Sequence, residues 1–579
     1  MANFSPSPGV TLNELDNTLI APTPQRAGAA IVGPTVKGPV NLPLVVSSYS
    51  EYKTLFGGAL LSGSQSYSYF TSIAAQNYFE NGGTSLLVTR VASGSFTPAD
   101  CDIITDEIYV VGEYVESGYV GGDVAFSLET IGEGIIMNSS GSVNTGSGLL
   151  ENGTRDNIRV EVTSVNTGSG TFNMIVRRGD DLENNKIILE SFNNLSLDPN
   201  SPRFISRVIG DEKLFYNPTT NQIESIGNYP NRSRHIRVKE VNLLTPNYLD
   251  NAGQISNPDY LDYLPIPQNN AFGNAIGEVM SGANFYDEID GSNTQGVVAA
   301  DYEDMAALLS NRDDYQYNIM LTPGLTDEDH TPAVTLFIQN AQNRGDNLYV
   351  YDTVGYAGGV NDAISTAQGR NSSYASTYFP WLRVNDSETG KQVWVPASTV
   401  MGGVFAFNDK ISAPWFAPAG INRGGLGSVL KAKLKLSQAN RNDLYEGNVN
   451  PIMSSPKTGV TVFGQKTLQK ASTALDRVNV RRLLIELKSF IGQTADTLVF
   501  EQNTLETRNR FLSIVNPYLE SVKQKQGLFA FKVVMDDTNN TADVIDRNQL
   551  VGQIFIQPAR TAEFINLDFV LEPTGASFE

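Results

Sequence analysis

The sequence predicts a multidomain mixed α/β (α+β) protein whose mixed-sheet core is built from N- and C-terminal parts of the chain. Three observations predict it. Short apolar runs alternate with amphipathic helical stretches near the start and again in the second half. A Gly-rich segment of alternating polarity lies between them and predicts an inserted β-rich domain. Extended segments at both ends predict terminal arms, and 579 residues are too many for a single core.

Residues 1–25 are predicted to form an extended N-terminal arm. Pro6, Pro8, Pro22 and Pro24 fix φ and interrupt a continuous helix, and "GVTLNEL" between them is compatible with one short strand.

Residues 26–95 and 286–400 are predicted to form one discontinuous α/β domain. "AGAAIVGPTVKGPVNLPLVVSS" predicts two short buried strands, "SYFTSIAAQNYFENGG" a helix and "TSLLVTRV" a further strand. In the second part, "NIMLTPG" and "NLYVYDT" predict strands, and the amphipathic "AVTLFIQNAQNRG" between them predicts a helix. Strand, helix and strand in succession indicate an α/β unit.

Residues 96–285 are predicted to form one or more β-rich domains. The heptapeptide "SVNTGSG" occurs at 142–148 and at 164–170, and the alternating segments "NIRVEVT" and "FNMIVRR" lie close to it. This pattern predicts a β-meander with Gly-rich turns.

Residues 401–558 are predicted to form a second α/β domain. Its first helix has one apolar stripe, made of Val480, Leu483, Leu484, Leu487 and Ile491. A second helix is predicted from about Leu505 to Lys525, with a kink or a break at Pro517.

Residues 559–579 are predicted to form a C-terminal strand-like arm. In "EFINLDFVLEPTGASFE", Ile565, Leu567, Phe569 and Leu571 fall on one side of an extended backbone. Alternation of this kind indicates a strand with one buried face, although its partner sheet is not evident from the pattern.

The charge is strongly polarised along the chain. The net charge is −21, which argues against general binding to nucleic acid. Residues 410–525, however, contain 17 Lys and Arg against 8 Asp and Glu. Two interpretations remain open, chance on a solvated surface or an acidic partner that binds this segment at short range.

No constellation of catalytic or metal-binding residues emerges, so neither an enzyme nor a cofactor is predicted. The only two histidines, His235 and His330, are predicted to lie on the surface or in loops. The run "DDTNNTADVID" resembles a calcium loop in composition only, and Asx-turns are the favoured interpretation. Cys101 is the single cysteine, and neither a secretory signal nor a membrane span is evident, which predicts folding in a reducing cytoplasm.

Longer segments resemble a known family. "VTVFGQKTL", "VNVRRLLIELKSFI", "VFEQN" and "VVMDDTNNTADVIDRNQLVGQIFIQPARTAEFINLDFVLEPTGASFE" resemble, in this order, the C-terminal domain of contractile-tail sheath proteins. "SPGVTLNELD", "AGAAIVGPTVKGPVNLPLVVSSYSEYKTLFGG" and "YFPWLRVNDSETGKQVWVPASTVMGGVFAFND" resemble earlier parts of the same family. The close of the chain is most similar to sheaths of large virulent myophages.

The resemblance implies a structural subunit of the virion tail, assembled in the host cytoplasm. Its partners would be further copies in stacked hexameric rings, the tail tube, and baseplate and tail terminator proteins, without direct contact to nucleic acid or insertion into a membrane. Contraction would drive the tube through the host envelope during genome ejection. The position of residues 96–285 as outer domains inserted into the α/β domain is also what the resemblance of the flanking segments implies. The domain 401–558 would face the tube, and its candidate contacts are Arg508, Arg510, Lys523 and Lys525. Ordinary solvated helix charge is the alternative for these four, whereas Arg481 and Arg482 are predicted to be structural.

Terminal strands would be exchanged between subunits in such an assembly. The residues predicted to take part are Val10, Leu12, Ile565, Leu567, Phe569 and Leu571. The candidate hinges beside them are Pro22, Pro24 and Pro558. Two alternatives remain, the sheath of a phage-derived contractile bacteriocin or injection particle and, from another class, a glycan-acting surface enzyme.

Overall fold

The computed structural model describes residues 27–62, 65–106, 108–110, 118–120, 122–139, 150–279 and 285–564. The first copy of the heptapeptide, at 142–148, lies outside these residues. Helices within the described ranges include none that is long and apolar enough to cross a lipid bilayer.

The first part of the described chain contains an α/β unit. Its elements are β1 (Ala29–Gly33), β2 (Pro43–Val46), α1 (Tyr49–Phe56), β3 (Leu60–Ser62), β4 (Gln65–Tyr67), α2 (Phe70–Glu80) and β5 (Leu86–Arg90).

The segment that follows is almost entirely β-structure. Its elements are β6 (Pro98–Ile104), β7 (Ile108–Val110), β8 (Gly118–Val120), β9 (Val124–Glu133), β10 (Ile158–Asn166), β11 (Thr171–Arg178), β12 (Ile188–Ser196), α3 (Ile205–Ile209), β13 (Lys213–Asn217), β14 (Gln222–Ile226), β15 (Ile236–Val241) and β16 (Gln268–Ala271).

The chain then returns to alternating helices and strands. These are α4 (Ala299–Leu308), β17 (Ile319–Thr326), α5 (Thr331–Arg344), β18 (Leu348–Asp352), α6 (Val360–Gln368), β19 (Ala375–Phe379), β20 (Leu382–Asn385), β21 (Gln392–Val395), α7 (Ser398–Ile411), β22 (Val429–Ala432), α8 (Gln438–Glu446), β23 (Asn450–Ser455) and β24 (Gly459–Val462). The last elements are α9 (Val478–Asp496), α10 (Leu505–Gln524), β25 (Leu528–Val534), α11 (Ala542–Asp546) and β26 (Gln553–Pro558).

An eight-stranded sheet in the order β2-β5-β1-β17-β18-β19-β23-β24 forms the centre of the fold. Its six inner strands pair in parallel, and β2 and β24 add antiparallel edges. Helices cover both faces, α2 and α7 on one side and α4, α5, α6 and α8 on the other. Such a sheet is buried on both faces, which explains the continuous apolar runs that predicted its strands. The predicted mixed α/β fold, with a core from distant parts of the chain, is confirmed.

Two details of α7 show how tightly this core is packed. The carboxylate of Asp352, at the end of β18, accepts hydrogen bonds from the amide (3.0 Å) and hydroxyl (2.5 Å) of Ser398 at the start of α7. Burial raises the pKa of Asp352 to about 7, although these hydrogen bonds oppose the shift. Farther along α7, a Cβ on Gly403 would lie 2.0 Å from Asn77 Oδ1 and 2.8 Å from its carbonyl oxygen, so α7 meets α2 at close range.

The β-rich segment, which lies in the chain between β5 and β17 of the central sheet, forms a sandwich of two sheets. One sheet has the order β12-β11-β10-β16 and the other β15-β9-β6, and a shared apolar core lies between them. The second heptapeptide copy ends β10 and forms the turn of the antiparallel β10–β11 hairpin, as its turn-forming composition predicts.

Three features differ from the sequence-based expectations. The central sheet includes β23 and β24, so it does not divide at the boundary predicted at residue 400; its parallel pairing of β19 with β23 joins segments distant in sequence. His330 is buried rather than superficial, because its Nδ1 accepts the Thr326 amide and its Nε2 bonds to the Asp290 carbonyl. Helix α10 is continuous through Pro517, without the break that was one of the expected outcomes.

Candidate functional site: an open two-stranded sheet

The C-terminal part of the chain contains a two-stranded antiparallel sheet made of β25 and β26. The register pairs Ala530 with Gln557, Lys532 with Phe555 and Val534 with Gln553. No further strand pairs with either edge of this sheet within the described residues. Both edges therefore present a row of backbone N–H and C=O groups to an additional strand.

Helices α9 and α10 support one face of this sheet. Phe531, Val533, Ile554 and Ile556 pack against an apolar cluster that includes Leu483 and Leu487 of α9 and Val515 and Leu519 of α10. The alternation of β26 places Phe555 on the opposite face, where it is 56% exposed. Phe529, in the irregular start of β25, is 67% exposed.

The arrangement is that of an incomplete sheet. Helices α9 and α10 cover one face only, and apolar residues such as Phe555 are ordinarily covered rather than left on an open face. Addition of an extended segment to an open edge supplies main-chain hydrogen bonds, while alternate side chains set the register. The geometry thus suits the acceptance of a strand.

The chain leaves β26 through a segment that is fixed to the rest of the protein. Pro558 pairs with Leu528, and the Ala559 amide donates to the Gly527 carbonyl at 3.1 Å. The side chain of Gln465 then donates to Thr561 Oγ1 at 2.6 Å. Residues 558–561 are therefore held at both ends, and the hinge expected at Pro558 stays a prediction.

Glu563 is the main anchor of this segment. Its carboxylate accepts hydrogen bonds from Arg477 Nε at 2.8 Å, from Gln465 Nε2 at 2.9 Å and from the hydroxyl of Tyr445. Burial alone would raise the pKa of Glu563, but these three hydrogen bonds outweigh it and lower the pKa below its usual value. We call Glu563, Tyr445, Gln465 and Arg477 the arm clamp.

No pattern in the sequence indicates the arm clamp. Glu563 begins the alternating terminal run, but Tyr445 lies 118 positions earlier and Arg477 lies 86 positions earlier. Neither position has a local pattern that marks a partner. Only the fold, which places α8 and the start of α9 side by side, brings these groups together.

The residues predicted to exchange strands are only partly covered by the structure. Val10, Leu12, Pro22 and Pro24 lie outside the described residues, as do Ile565, Leu567, Phe569 and Leu571. The described chain ends at Phe564, whose ring is 82% exposed and touches Tyr445 edge-on at 6.5 Å between centroids.

The four candidate tube contacts have different environments. Arg508 is buried and its guanidinium bonds to the exposed carboxylate of Asp537 at 2.7 Å. Arg510 is half-exposed and lies 3.5 Å from Glu501, and Lys523 lies 3.3 Å from Glu520 one turn away. Lys525 is exposed just after α10. The contact with a tube stays a prediction, and the burial of Arg508 makes it the least accessible of the four.

Part of the basic excess of residues 410–525 is used within the chain. Arg482 forms two hydrogen bonds with Asp409, at 2.8 and 2.6 Å, and Arg481 lies over the Tyr374 ring at 3.9 Å. These two arginines are structural, as the sequence predicts.

Among the described residues, no group of three or more His, Cys, Asp and Glu side chains is arranged to hold a metal ion. In the loop from Asp536, the carboxylate of Asp536 accepts the Thr538 amide at 2.9 Å, which is the Asx-turn that the sequence favours over a calcium loop.

Comparison with family models assigns the second half of the chain to the tail sheath class of contractile injection systems, which includes phages and phage-like particles. Residues 295–468 match the phage tail sheath protein central domain, and residues 470–572 match the phage tail sheath C-terminal domain. These two domains belong to the phage tail sheath family, and the resemblance to a contractile phage tail sheath protein is confirmed.

Individual relatives agree with this membership. The chain is 40% identical over 186 residues to the tail sheath protein of Enterobacteria phage T4, covering 32% of this chain and 28% of the relative. It is 34% identical over 244 residues to the tail sheath protein of Vibrio phage KVP40, covering 41% and 36%. The chain thus spans about a third of the length of the curated relatives that it matches.

A solved structure extends the likeness of fold to most of the chain. The crystal structure of the sheath tail protein from Listeria innocua has a TM-score of 0.51 and 9% identity, covering 92% of this chain and 96% of that one. At this identity the likeness concerns the fold alone.

Proposed function

We propose that this chain is a non-enzymatic subunit of a contractile tail sheath. It assembles with further copies into stacked hexameric rings around a tail tube, in the tail of a virion or of a related injection particle. Contraction drives the tube through the host envelope. Baseplate proteins and tail terminator proteins lie at the two ends of the assembly. The host cytoplasm is the proposed place of assembly.

The observation that carries this proposal is the open β25–β26 sheet. Its two edges, which pair with no further strand in the part of the chain that the structure describes, and its exposed Phe555 are suited to strands from neighbouring subunits. The proposed donors are the N-terminal arm, through Val10 and Leu12, and the C-terminal arm, through Ile565, Leu567, Phe569 and Leu571. An extended arm of 15 residues spans at most about 50 Å, which is far enough to cross to an adjacent subunit.

Strand exchange accounts for a link that survives rearrangement. A strand added to an edge is held by several backbone hydrogen bonds, and those bonds do not depend on the orientation of the subunit that donates it. Solvated ion pairs, worth about 0–1 kcal/mol each, suit the sheath–tube contact because that contact must be released on contraction. Arg510, Lys523 and Lys525 remain the proposed contacts on this surface.

Electron microscopy of two truncated chains tests the strand-exchange step. A chain that ends at Phe564 keeps the arm clamp but lacks the proposed strand, whereas a control that ends at Glu572 keeps Ile565–Leu571. We expect both to unfold at the same temperature as the full chain, because neither truncation touches the described contacts. Helical tubes should form from the full chain and the control only. Normal tubes from the shorter chain would rule out donation by the C-terminal arm.

A further inference from the structure

The turn between α9 and α10 exposes an unusual apolar surface. Val499, Phe500 and Leu505 are all exposed, and Phe500 is fully accessible. Phe500 also has a φ of +68°, a left-handed conformation that bulky residues rarely adopt. Strained backbone that presents an apolar side chain to water is unfavourable in an isolated subunit, and such features concentrate at contact sites. We call residues 496–506 the apolar turn.

The flanks of the apolar turn carry one sign of charge. Asp496, Glu501 and Glu506 lie in it, and it contains no Lys or Arg. Arg510 of α10 lies 3.5 Å from Glu501, so the negative charge of the turn rests mainly on Asp496 and Glu506. The surface that it fits is therefore an apolar recess with a basic rim.

A recess with these properties exists on the same protein. A groove of about 790 Å³ lies between α8, the loop after β24 and the arm clamp. Its apolar lining includes Ala417 and Phe463, and Arg423, Arg441 and Lys466 supply positive charge. Glu446 and Glu563 also line it, but Glu563 is already neutralised by Arg477.

The apolar turn and the groove lie at opposite ends of α9. Arg477, which lines the groove, directly precedes this helix, and the apolar turn starts at its last residue, Asp496. A helix of 19 residues is about 28 Å long, so the two surfaces are separated within one chain. Joined between two chains, they make a head-to-tail contact that repeats from copy to copy.

We propose that the apolar turn of one subunit docks into the basic groove of a second copy of this chain, with Phe500 as the central anchor. Aromatic side chains at the centre of an interface carry a large share of the binding energy, and the surrounding charges fix orientation. This inference rests on the proposed self-assembly. It adds that successive subunits are joined head to tail, from the C-terminal end of α9 in one subunit to the N-terminal end of α9 in the next. It is separate from strand exchange, since it uses neither β25–β26 nor the terminal arms.

Substitution of Phe500 tests the anchor without touching the fold. Because the side chain is fully exposed, Phe500→Ala should leave the melting temperature of the subunit unchanged. It should raise the protein concentration required for polymerisation at least about tenfold, which corresponds to the loss of one buried aromatic side chain. Ile226→Ala, at an exposed apolar position in the inserted sandwich, is the matched control and should polymerise normally.

Charge reversal tests which surface receives the turn. Glu501→Arg/Glu506→Arg makes the turn basic, and Arg423→Glu/Arg441→Glu makes the groove acidic. Each double variant should polymerise poorly alone, because its own turn and groove then repel. An equimolar mixture should recover polymerisation, since every turn meets a groove of opposite charge.

The possible outcomes separate this contact from the proposed function. Normal polymers from Phe500→Ala, or no recovery in the mixture, would overturn the docking while leaving sheath assembly in place. Unimpaired polymers from the groove variant alone would also overturn it. Failure of the unmodified chain to self-associate would overturn both.

Discussion

The arm clamp fixes the point at which the C-terminal arm can begin to move, and Glu563→Ala is expected to release it. The carboxylate accepts three hydrogen bonds, of which the one from Arg477 joins two side chains that are only 23% and 18% exposed. Hydrogen bonds to charged groups contribute about 1.5–3 kcal/mol each, but they are not additive, and Arg477 retains Asp476 at 2.8 Å. We therefore expect local opening of residues 559–564 to become easier by about 2–3 kcal/mol.

Hydrogen–deuterium exchange measures this opening directly. A change of 2–3 kcal/mol corresponds to exchange that is about 30- to 150-fold faster at the amides of 559–564. The control is Glu520→Ala, which removes an exposed pair with Lys523 and should change exchange by less than about fivefold. Unchanged exchange at 559–564 in Glu563→Ala would refute the clamp.

The pH dependence of the clamp has a defined sign. Because the pKa of Glu563 is lowered in the folded state, the clamp contributes its full stability above the usual carboxyl pKa. That contribution is lost as the pH falls through the lowered value. The protection factors at 559–564, which correct for the slower intrinsic exchange of amides at lower pH, should accordingly fall on acidification in the unmodified chain, and Glu563→Gln should weaken that fall.

Three further predictions concern the body of the protein. Because burial raises the pKa of Asp352 to about 7, its contribution to the free energy of unfolding falls by up to about 4 kcal/mol as the pH rises from about 4 to 7. In Asp352→Asn, the melting temperature should depend less on pH over that range. Arg508→Glu should lower the free energy of unfolding, measured by chemical denaturation, by about 3 kcal/mol, because it places an unpaired charge in a buried site. The control Lys523→Glu should change that free energy by less than about 0.5 kcal/mol. Gly403→Ala should lower the free energy of unfolding by about 2–3 kcal/mol, because the new methyl group would push α7 away from α2. Gly492→Ala in α9, where a Cβ has open space, should raise it by about 1 kcal/mol. Equal effects of the two substitutions would contradict the packing argument.

The central strands and the two long C-terminal helices were predictable because their burial imposes a local pattern. Apolar runs such as β1 and β18 are buried on both faces, and the stripe of α9 faces one core. The extent of the sheet was not predictable in this way. The pairing of β19 with β23 depends on how intervening elements fold back, and no property of either strand specifies that partner.

Polar groups were predictable only where they act locally. The turn from Asp536 follows from residues two and three positions apart, and it formed as expected. Arg508 was expected to be solvated, and His330 to lie on the surface or in a loop, because charged and polar residues are usually solvated; His330 does lie in the loop before α5. Both are buried. Asp537 pairs with Arg508, and the carbonyl of Asp290 forms a hydrogen bond with His330, and no sequence pattern connects either residue with its partner.

The arm clamp changes how motion at the C-terminus should be understood. A hinge at Pro558 requires the chain after β26 to turn freely, yet hydrogen bonds hold the backbone at Ala559 and the side chains of Thr561 and Glu563. While these bonds persist, residues 559–563 cannot turn as a hinge. In the proposed assembly, a force on a donated C-terminal strand would reach the clamp before it reaches β26, so the acceptor sheet of the donor subunit would stay intact. Such a force would act on Arg477 and the start of α9.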